Sequence, residues 1–161
     1  MAQPFQIAVE DAAVRAALAQ LTHKLAHPAP LMQDIGRALG NLTEDAFQDE
    51  RSPAGVPWEP LTPAYVLRPR KSGGRGGDAH PILQRAGGLA ASITHGGDDR
   101  SAWVGASKVY AAIHQFGGTA GMAPGPAGIP ARPFLPVERD GDLAERARES
   151  VLALVRKYLG G

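Results

Sequence analysis

The sequence predicts an α+β fold with an N-terminal helical hairpin, a small and mainly antiparallel β-sheet of three or four strands, a C-terminal helix and long Pro/Gly-rich loops. Apolar residues recur at helical spacing near both ends of the chain, whereas short segments separated by turn residues fill residues 82–116. The 161 residues suit one domain, and 20 glycines and 14 prolines indicate that much of it is irregular.

Residues 1–51 are predicted to form the helical hairpin. The first helix covers roughly residues 9–26, and its apolar stripe is Val14, Leu18, Leu21 and Leu25. The second helix reaches about residue 50, and its stripe is Leu31, Ile35, Leu39, Leu42 and Phe47. Only the short segment around Pro28 and Pro30 separates the two patterns, so we expect antiparallel packing.

Residues 52–81 form an extended loop with no sustained period, and it is longer than an ordinary connector. Within it, prolines surround Trp58 and Leu61 and lower the cost of ordering the loop against another surface. Two burial partners stay open for Trp58: the protein's own core, or a neighbouring subunit, where tryptophan is enriched among residues that carry binding energy.

Residues 82–137 are predicted to hold the sheet, with strands near 89–95, 101–106 and 109–116. A turn at Gly96–Asp99 makes the first two strands a hairpin, and the third extends it into a meander. In the third strand one face is predicted to carry Tyr110, Ala112, His114 and Phe116, and the other Ala111, Ile113 and Gln115.

An arm over residues 117–133 follows, and it ends in the segment "ARPFLP". Pro133 and Pro136 cannot donate ladder hydrogen bonds, so this segment is expected to pair only as an edge strand or an interrupted strand. Residues 138–161 close the chain with a helix that Asp140 or Asp142 can cap. Its apolar stripe is Leu143, Ala147, Val151, Leu154 and Tyr158.

Several classes of site are excluded or disfavoured by composition and spacing. The chain has no cysteine, which excludes disulfides, thiolate zinc sites and cysteine nucleophiles. His23 and His27 have the spacing of two metal ligands, but an HExxH glutamate is missing, and surface histidines explain them better. We interpret His114 as architectural, because a strand histidine can bond a neighbouring strand or subunit. We therefore predict no catalytic residue, cofactor or metal, and no enzymatic activity.

A basic loop is predicted between the helical hairpin and the sheet. Its positive side chains are Arg68, Arg70, Lys71 and Arg75. Such a cluster is usually solvated, but it could face an acidic protein surface or phosphate. No apolar run approaches the ~20 residues of a membrane span, and the N-terminus lacks a signal-peptide pattern. We expect a soluble protein that is made in the cytoplasm.

Four segments in order resemble the phage virion morphogenesis family, the tail-completion proteins of Mu-like and related phages. They are "WEPL" at 58–61, "ILQRAGGLAASI" at 82–93, "YAAIHQFG" at 110–117 and "IPARPFL" at 129–135. A looser likeness extends to lambdoid head–tail joining proteins. The resemblance implies a structural virion protein at the neck or head-proximal tail that forms a ring, expected to be sixfold, and has no catalytic residues.

The predicted arms fit that role, because each could lie across a neighbouring copy and become buried only upon assembly. The candidate interface residues are Trp58, Leu61, Tyr110, His114, Phe116, Arg132 and Phe134. Expected partners are further copies of the chain, neck or connector proteins, tail-tube or terminator proteins, and packaged DNA contacted non-specifically by the basic loop. Alternatives are a tail terminator that caps the tube, a basic DNA-binding module, or a metal-dependent hydrolase that uses His23 and His27.

Overall fold

The computed structural model describes residues 11–66, 81–84, 88–119 and 128–160, and it confirms the α+β class. Its helices and strands follow the order α1 (Ala12–Ala26), α2 (Ala29–Asp49), α3 (Pro63–Val66), β1 (Ile93–Gly97), β2 (Ala102–Ala106), α4 (Ala111–Phe116) and α5 (Glu145–Gly160). A 3₁₀ turn at Ala90–Ser92 leads into β1. Helix α2 is central, because it packs against both strands and against α5.

Helix α1 begins where the side chain of Asp11 accepts hydrogen bonds from the backbone N–H groups of Ala13 and Val14 (2.9 and 3.2 Å). No residue of α1 is buried, and its main helix contact is with the end of α5 rather than along α2. The Tyr158 hydroxyl of α5 lies 3.0 and 2.8 Å from the carbonyl oxygens of Lys24 and His27. Both predicted N-terminal helices are present, but they do not form the expected closely packed hairpin.

Helix α2 carries the predicted apolar stripe into two adjoining parts of the core. Its first two-thirds pack against α5 and β2 in a cluster of buried residues: Leu31, Ile35, Leu39, Leu42 and Ala147. Its last turn packs Phe47 into a second cluster with Trp58, Leu89 and Phe134. The helix ends at Glu50, which adopts a left-handed conformation (φ 51°) that suits a C-terminal cap.

Strands β1 and β2 form a two-stranded antiparallel sheet, with Ile93 opposite Ala106 and Gly97 opposite Ala102. The predicted hairpin is confirmed, although β1 starts at Ile93 because residues 90–92 form the 3₁₀ turn. Gly96 and Gly97 belong to the strand rather than to the turn. Asp98 holds the turn instead, since its carboxylate accepts the N–H groups of Arg100 and Ser101 (both 2.7 Å), and these bonds lower its pKa.

The predicted third strand over 109–116 is wrong, because residues Ala111–Phe116 form helix α4. Short apolar runs fit both a strand and a helix, so tertiary contacts decide between them. In the helix, Ala111 and Gln115 lie one turn apart on the side that faces the core. The strand interpretation also placed them on one face, but it did not indicate that this face is buried. The described sheet therefore has two strands instead of three or four.

Helix α5 confirms the predicted C-terminal helix and buries Ala147 completely. Its predicted capping residues are wrong. The Arg148 N–H donates to the carbonyl oxygen of Ala144 (2.9 Å), so the helix starts after Ala144. Asp140 lies in the preceding turn, where its carboxylate accepts the N–H of Asp142 (3.0 Å).

Candidate assembly surface

Trp58 joins the long loop to the end of the arm. Its side chain is 5% exposed, lies edge-on to Phe47 with ring centroids 5.7 Å apart, and donates its indole N–H to the carbonyl oxygen of Pro133 (2.8 Å). The fully buried ring of Phe134 packs on the same Phe47, at 5.3 Å. Of the two open partners for Trp58, the structure therefore shows the protein's own core.

Gln115 clamps the segment that follows the arm. Its side-chain oxygen accepts the backbone N–H groups of Phe134 and Leu135, both at 2.9 Å. Its side-chain nitrogen donates to the carbonyl oxygens of Leu135 and Val137, both at 3.3 Å. Sequence reasoning placed Gln115 on a strand face and missed this role, which depends on α4 being a helix.

Arg132 ties the same segment to the "WEPL" loop. Its guanidinium donates to the carbonyl oxygens of Glu59 (2.9 Å) and Pro60 (3.4 Å), and its backbone N–H donates to the backbone carbonyl oxygen of His114 (2.7 Å). Only 7% of Arg132 is exposed. These contacts fix the arm's C-terminal end on the chain's own body. The sequence analysis had instead proposed Arg132 and Phe134 as contacts with a neighbouring copy.

His114 lies on α4 beside this junction, with its ring edge-on to Tyr110 at 5.9 Å. Its Nδ1 atom is buried and has no hydrogen-bond partner among the described residues. Burial lowers the pKa of His114, and the positive charge of Arg132 lowers it further. The side chain is thus held mainly neutral near pH 7 and takes no part in the bonds that hold the arm. His114 therefore lies on a helix rather than on the predicted strand, and its architectural role stays a prediction.

A groove of about 250 Å³ lies beside the arm's base. Its walls come from the 52–58 loop, the end of α4 and residues 131–139. At its rim, Val56 is 64% exposed and Phe116 is 42% exposed, while Glu138 and Arg139 contribute charge. The groove is mainly apolar and open to solvent, and such surfaces are typical of protein contacts.

The seven candidate interface residues separate into two groups. Trp58, Arg132 and Phe134 are buried within the chain, whereas Leu61 and His114 are partly buried. Tyr110 and Phe116 are 38% and 42% exposed, so they remain available to a partner. Sequence reasoning did not separate them, because an aromatic residue among prolines can anchor a loop on its own core or on another chain.

The two other predicted sites were the basic loop and the histidine pair. The basic residues Arg68, Arg70, Lys71 and Arg75 lie outside the described residues. His23 of α1 and His27, the residue that follows the helix, stack on each other with ring centroids 4.5 Å apart. The described ranges contain no group of three side chains suited to holding a metal. Within those ranges, no helix has the length and apolar character to cross a membrane.

Three of the four motif segments meet at this junction, through Trp58, Gln115 and Arg132. Comparison with known proteins gives the same family as those motifs. A model of the phage virion morphogenesis family matches residues 9–160. The chain belongs to the phage virion morphogenesis family. It is accordingly a structural protein of phage particle assembly, and the family resemblance drawn from the motifs is confirmed.

Individual relatives come from Mu and Mu-like prophages. The putative capsid assembly protein G of Escherichia phage Mu is 37% identical over 126 residues, which cover 76% of this chain and 79% of that protein. Mu-like prophage FluMu G protein 2 of Haemophilus influenzae is 32% identical over 145 residues, covering 89% of this chain and 92% of the relative. No solved structure matches the chain at a comparable level of significance.

Proposed function

We propose that this virion morphogenesis protein forms a ring in the neck or at the head-proximal end of the tail, where it completes the tail and joins it to the DNA-filled head. It acts there as a structural subunit without a cofactor. Its partners are further copies of itself and the neighbouring neck and tail proteins. The observation that carries the proposal is the way the arm is mounted on the body.

Gly118 and Ile129 exchange both of their backbone hydrogen bonds (2.8 and 2.9 Å), so the arm leaves and re-enters the body at one point. The ten residues between them, 119–128, carry no charged side chain. Arg132 and Gln115 hold the chain immediately beyond this bridge. A fixed base with an uncharged loop is suited to reaching a second chain, because its ordering cost is partly met within the subunit.

The apolar groove begins beside this base, at Phe116 and Ala131. Each copy therefore combines an uncharged segment, residues 119–128, with an apolar groove elsewhere on the body, and the two could contact each other in neighbouring copies. A contact between different surfaces of identical subunits is heterologous, and it generates a ring when the rotation closes. We assign the loop of the neighbouring copy as the occupant of the groove.

The test is a variant in which two glycines replace residues 120–127, leaving the Gly118–Ile129 bridge intact. This variant should fold and melt like the wild type but should fail to restore infectious particles to a phage that lacks the protein. Phe116→Ser at the groove rim should produce the same defect. Asp99→Ser, in the exposed hairpin turn, is the control that should restore infectivity.

Electron microscopy of the defective lysates distinguishes the possible roles. Filled heads and separate tails of normal length support a joining role. Tails of irregular length would instead indicate a terminator that caps the tube. Infectious particles at wild-type yield from both defective variants would contradict the proposed use of the arm and groove.

A further inference from the structure

The two-stranded sheet leaves both of its edges without a partner strand among the described residues. The Asp98 N–H donates to Ser101, and the Ser107 N–H donates to Ser92, at the two ends of the hairpin. Since hydrogen-bonded and non-hydrogen-bonded pairs alternate along an antiparallel ladder, these two bonds determine which backbone groups point outward. On β1 the outward groups belong to His95, to Gly97 and to the carbonyl of Ile93, whose N–H already donates to the carbonyl oxygen of Ala90; on β2 they belong to Ala102, Val104 and Ala106.

The residues of the two strands lack the charges and prolines that normally oppose strand addition. The strands read "ITHGG" and "AWVGA", with no charged residue and no proline. Natural edge strands are usually guarded by charges, prolines, bulges or a covering segment. A sheet of only two strands is also marginal in isolation. The sequence of this sheet therefore favours further pairing instead of opposing it.

The outer face of the sheet offers little obstruction to a neighbouring strand. The ring of Trp103 lies over Gly96, where an added Cβ would come within 2.8 Å of it, and Trp103 remains 48% exposed. No atom of the described residues lies within 4 Å of the position that a Cβ on Gly105 would take. An exposed tryptophan on a smooth backbone surface is typical of residues that carry binding energy.

We propose that β2 of one copy pairs with β1 of the next copy, so that the sheet continues across the subunit interface. The two edges are different surfaces of equal length, five residues each, as a heterologous contact requires. Repeated pairing gives an antiparallel order, because β1 and β2 already run in opposite directions within each copy. This inference rests on the proposed ring and adds a second contact to the arm and groove.

Single prolines can block one edge without removing an intrachain ladder bond, because the N–H groups of His95 and Ala102 point outward. In Ala102→Pro the β2 edge is blocked, and in His95→Pro the β1 edge is blocked. Ala102→Ser is the matched control, since it changes the side chain but retains the N–H. Circular dichroism melting checks that each full-length variant is folded, and analytical ultracentrifugation measures its self-association.

The self-association affinity of each proline variant should be at least about tenfold lower than that of the wild type. Ala102→Ser should associate with the wild-type affinity. An equimolar mixture of Ala102→Pro and His95→Pro should associate more strongly than either variant alone, because the intact β1 edge of the first can pair with the intact β2 edge of the second. Amide hydrogen exchange on the wild type gives an independent measurement that needs no variant. The N–H groups of His95 and Val104 should be protected in the ring and should exchange rapidly in the monomer.

Rings of normal stability from both proline variants, or unprotected His95 and Val104 amides in the assembled ring, would overturn strand pairing and leave the proposed ring intact. A wild-type protein that is monomeric both in solution and in the particle would overturn the ring itself. The two failures are therefore distinguishable.

Discussion

The indole N–H of Trp58 donates a hydrogen bond to the carbonyl oxygen of Pro133, 75 residues further along the chain. This bond joins the long proline-rich loop to the C-terminal end of the arm, and both then pack on Phe47 of α2. Trp58 and Phe134 come from the loop and from the end of the arm, which sequence patterns left apart from the core, and both are buried in it. The arm consequently has a rigid base.

Trp58→Phe should destabilise the fold by about 1–3 kcal/mol, because the carbonyl of Pro133 loses its donor while most of the apolar contact remains. Trp58→Ala should cost about 3–5 kcal/mol, since it also leaves a cavity beside Phe47 and Phe134. Urea unfolding followed by circular dichroism measures both changes. Equal losses from the two variants would show that the hydrogen bond, and not ring packing, dominates.

Gln115→Leu should be more damaging than its nearly conserved size suggests. It leaves the backbone N–H groups of Phe134 and Leu135 without an acceptor, at about 1–3 kcal/mol for each buried donor. Gln33→Leu, at an exposed position of α2, is the matched control and should change stability by no more than about 0.5 kcal/mol. If the two variants unfolded at the same urea concentration, the assigned clamp would be wrong.

Gly36→Ala tests the close approach of α2 to β1. Alanine is normally preferred over glycine inside a helix by about 1 kcal/mol. Here a Cβ on Gly36 would overlap the carbonyl oxygen of Gly96, so the substitution should instead destabilise by about 1–3 kcal/mol. Gly105→Ala on β2 meets no atom within 4 Å in the described part of the chain and should be tolerated. Thermal melting of both variants checks the sign, and a stabilised Gly36→Ala protein would contradict this packing.

Stability should fall as the pH is lowered from 7.5 to 5.5. The pKa of His114 in the folded protein lies below its ordinary value of 6.5, because burial and the charge of Arg132 disfavour the protonated ring. Below pH 6.5 the unfolded chain binds a proton that the folded chain does not, so protonation favours unfolding; above that pH the contribution is fully present. Urea midpoints measured across this range should depend less on pH in His114→Gln. An unchanged pH dependence in the variant would exclude His114 as the cause.

The helices at the two ends of the chain were predictable because an amphipathic stripe is a local property of the sequence. The α2 stripe and the α5 stripe are both recovered, as is the β1–β2 hairpin around its Asp98 turn. The four motif segments also identified the family before any contact was known. Each of these conclusions depends on residue spacing within a short window.

Contacts between distant segments decided the rest. Residues 111–116 fit a strand or a helix equally well by local pattern, and the helix is the form in which Gln115 bonds to residues 134–137 while Ala111 packs on the core. Sequence likewise left Trp58 between two partners, and its bond to Pro133 showed which one it takes. Local spacing specifies an element, but the free energy of burying a side chain depends on which other segments fold against it.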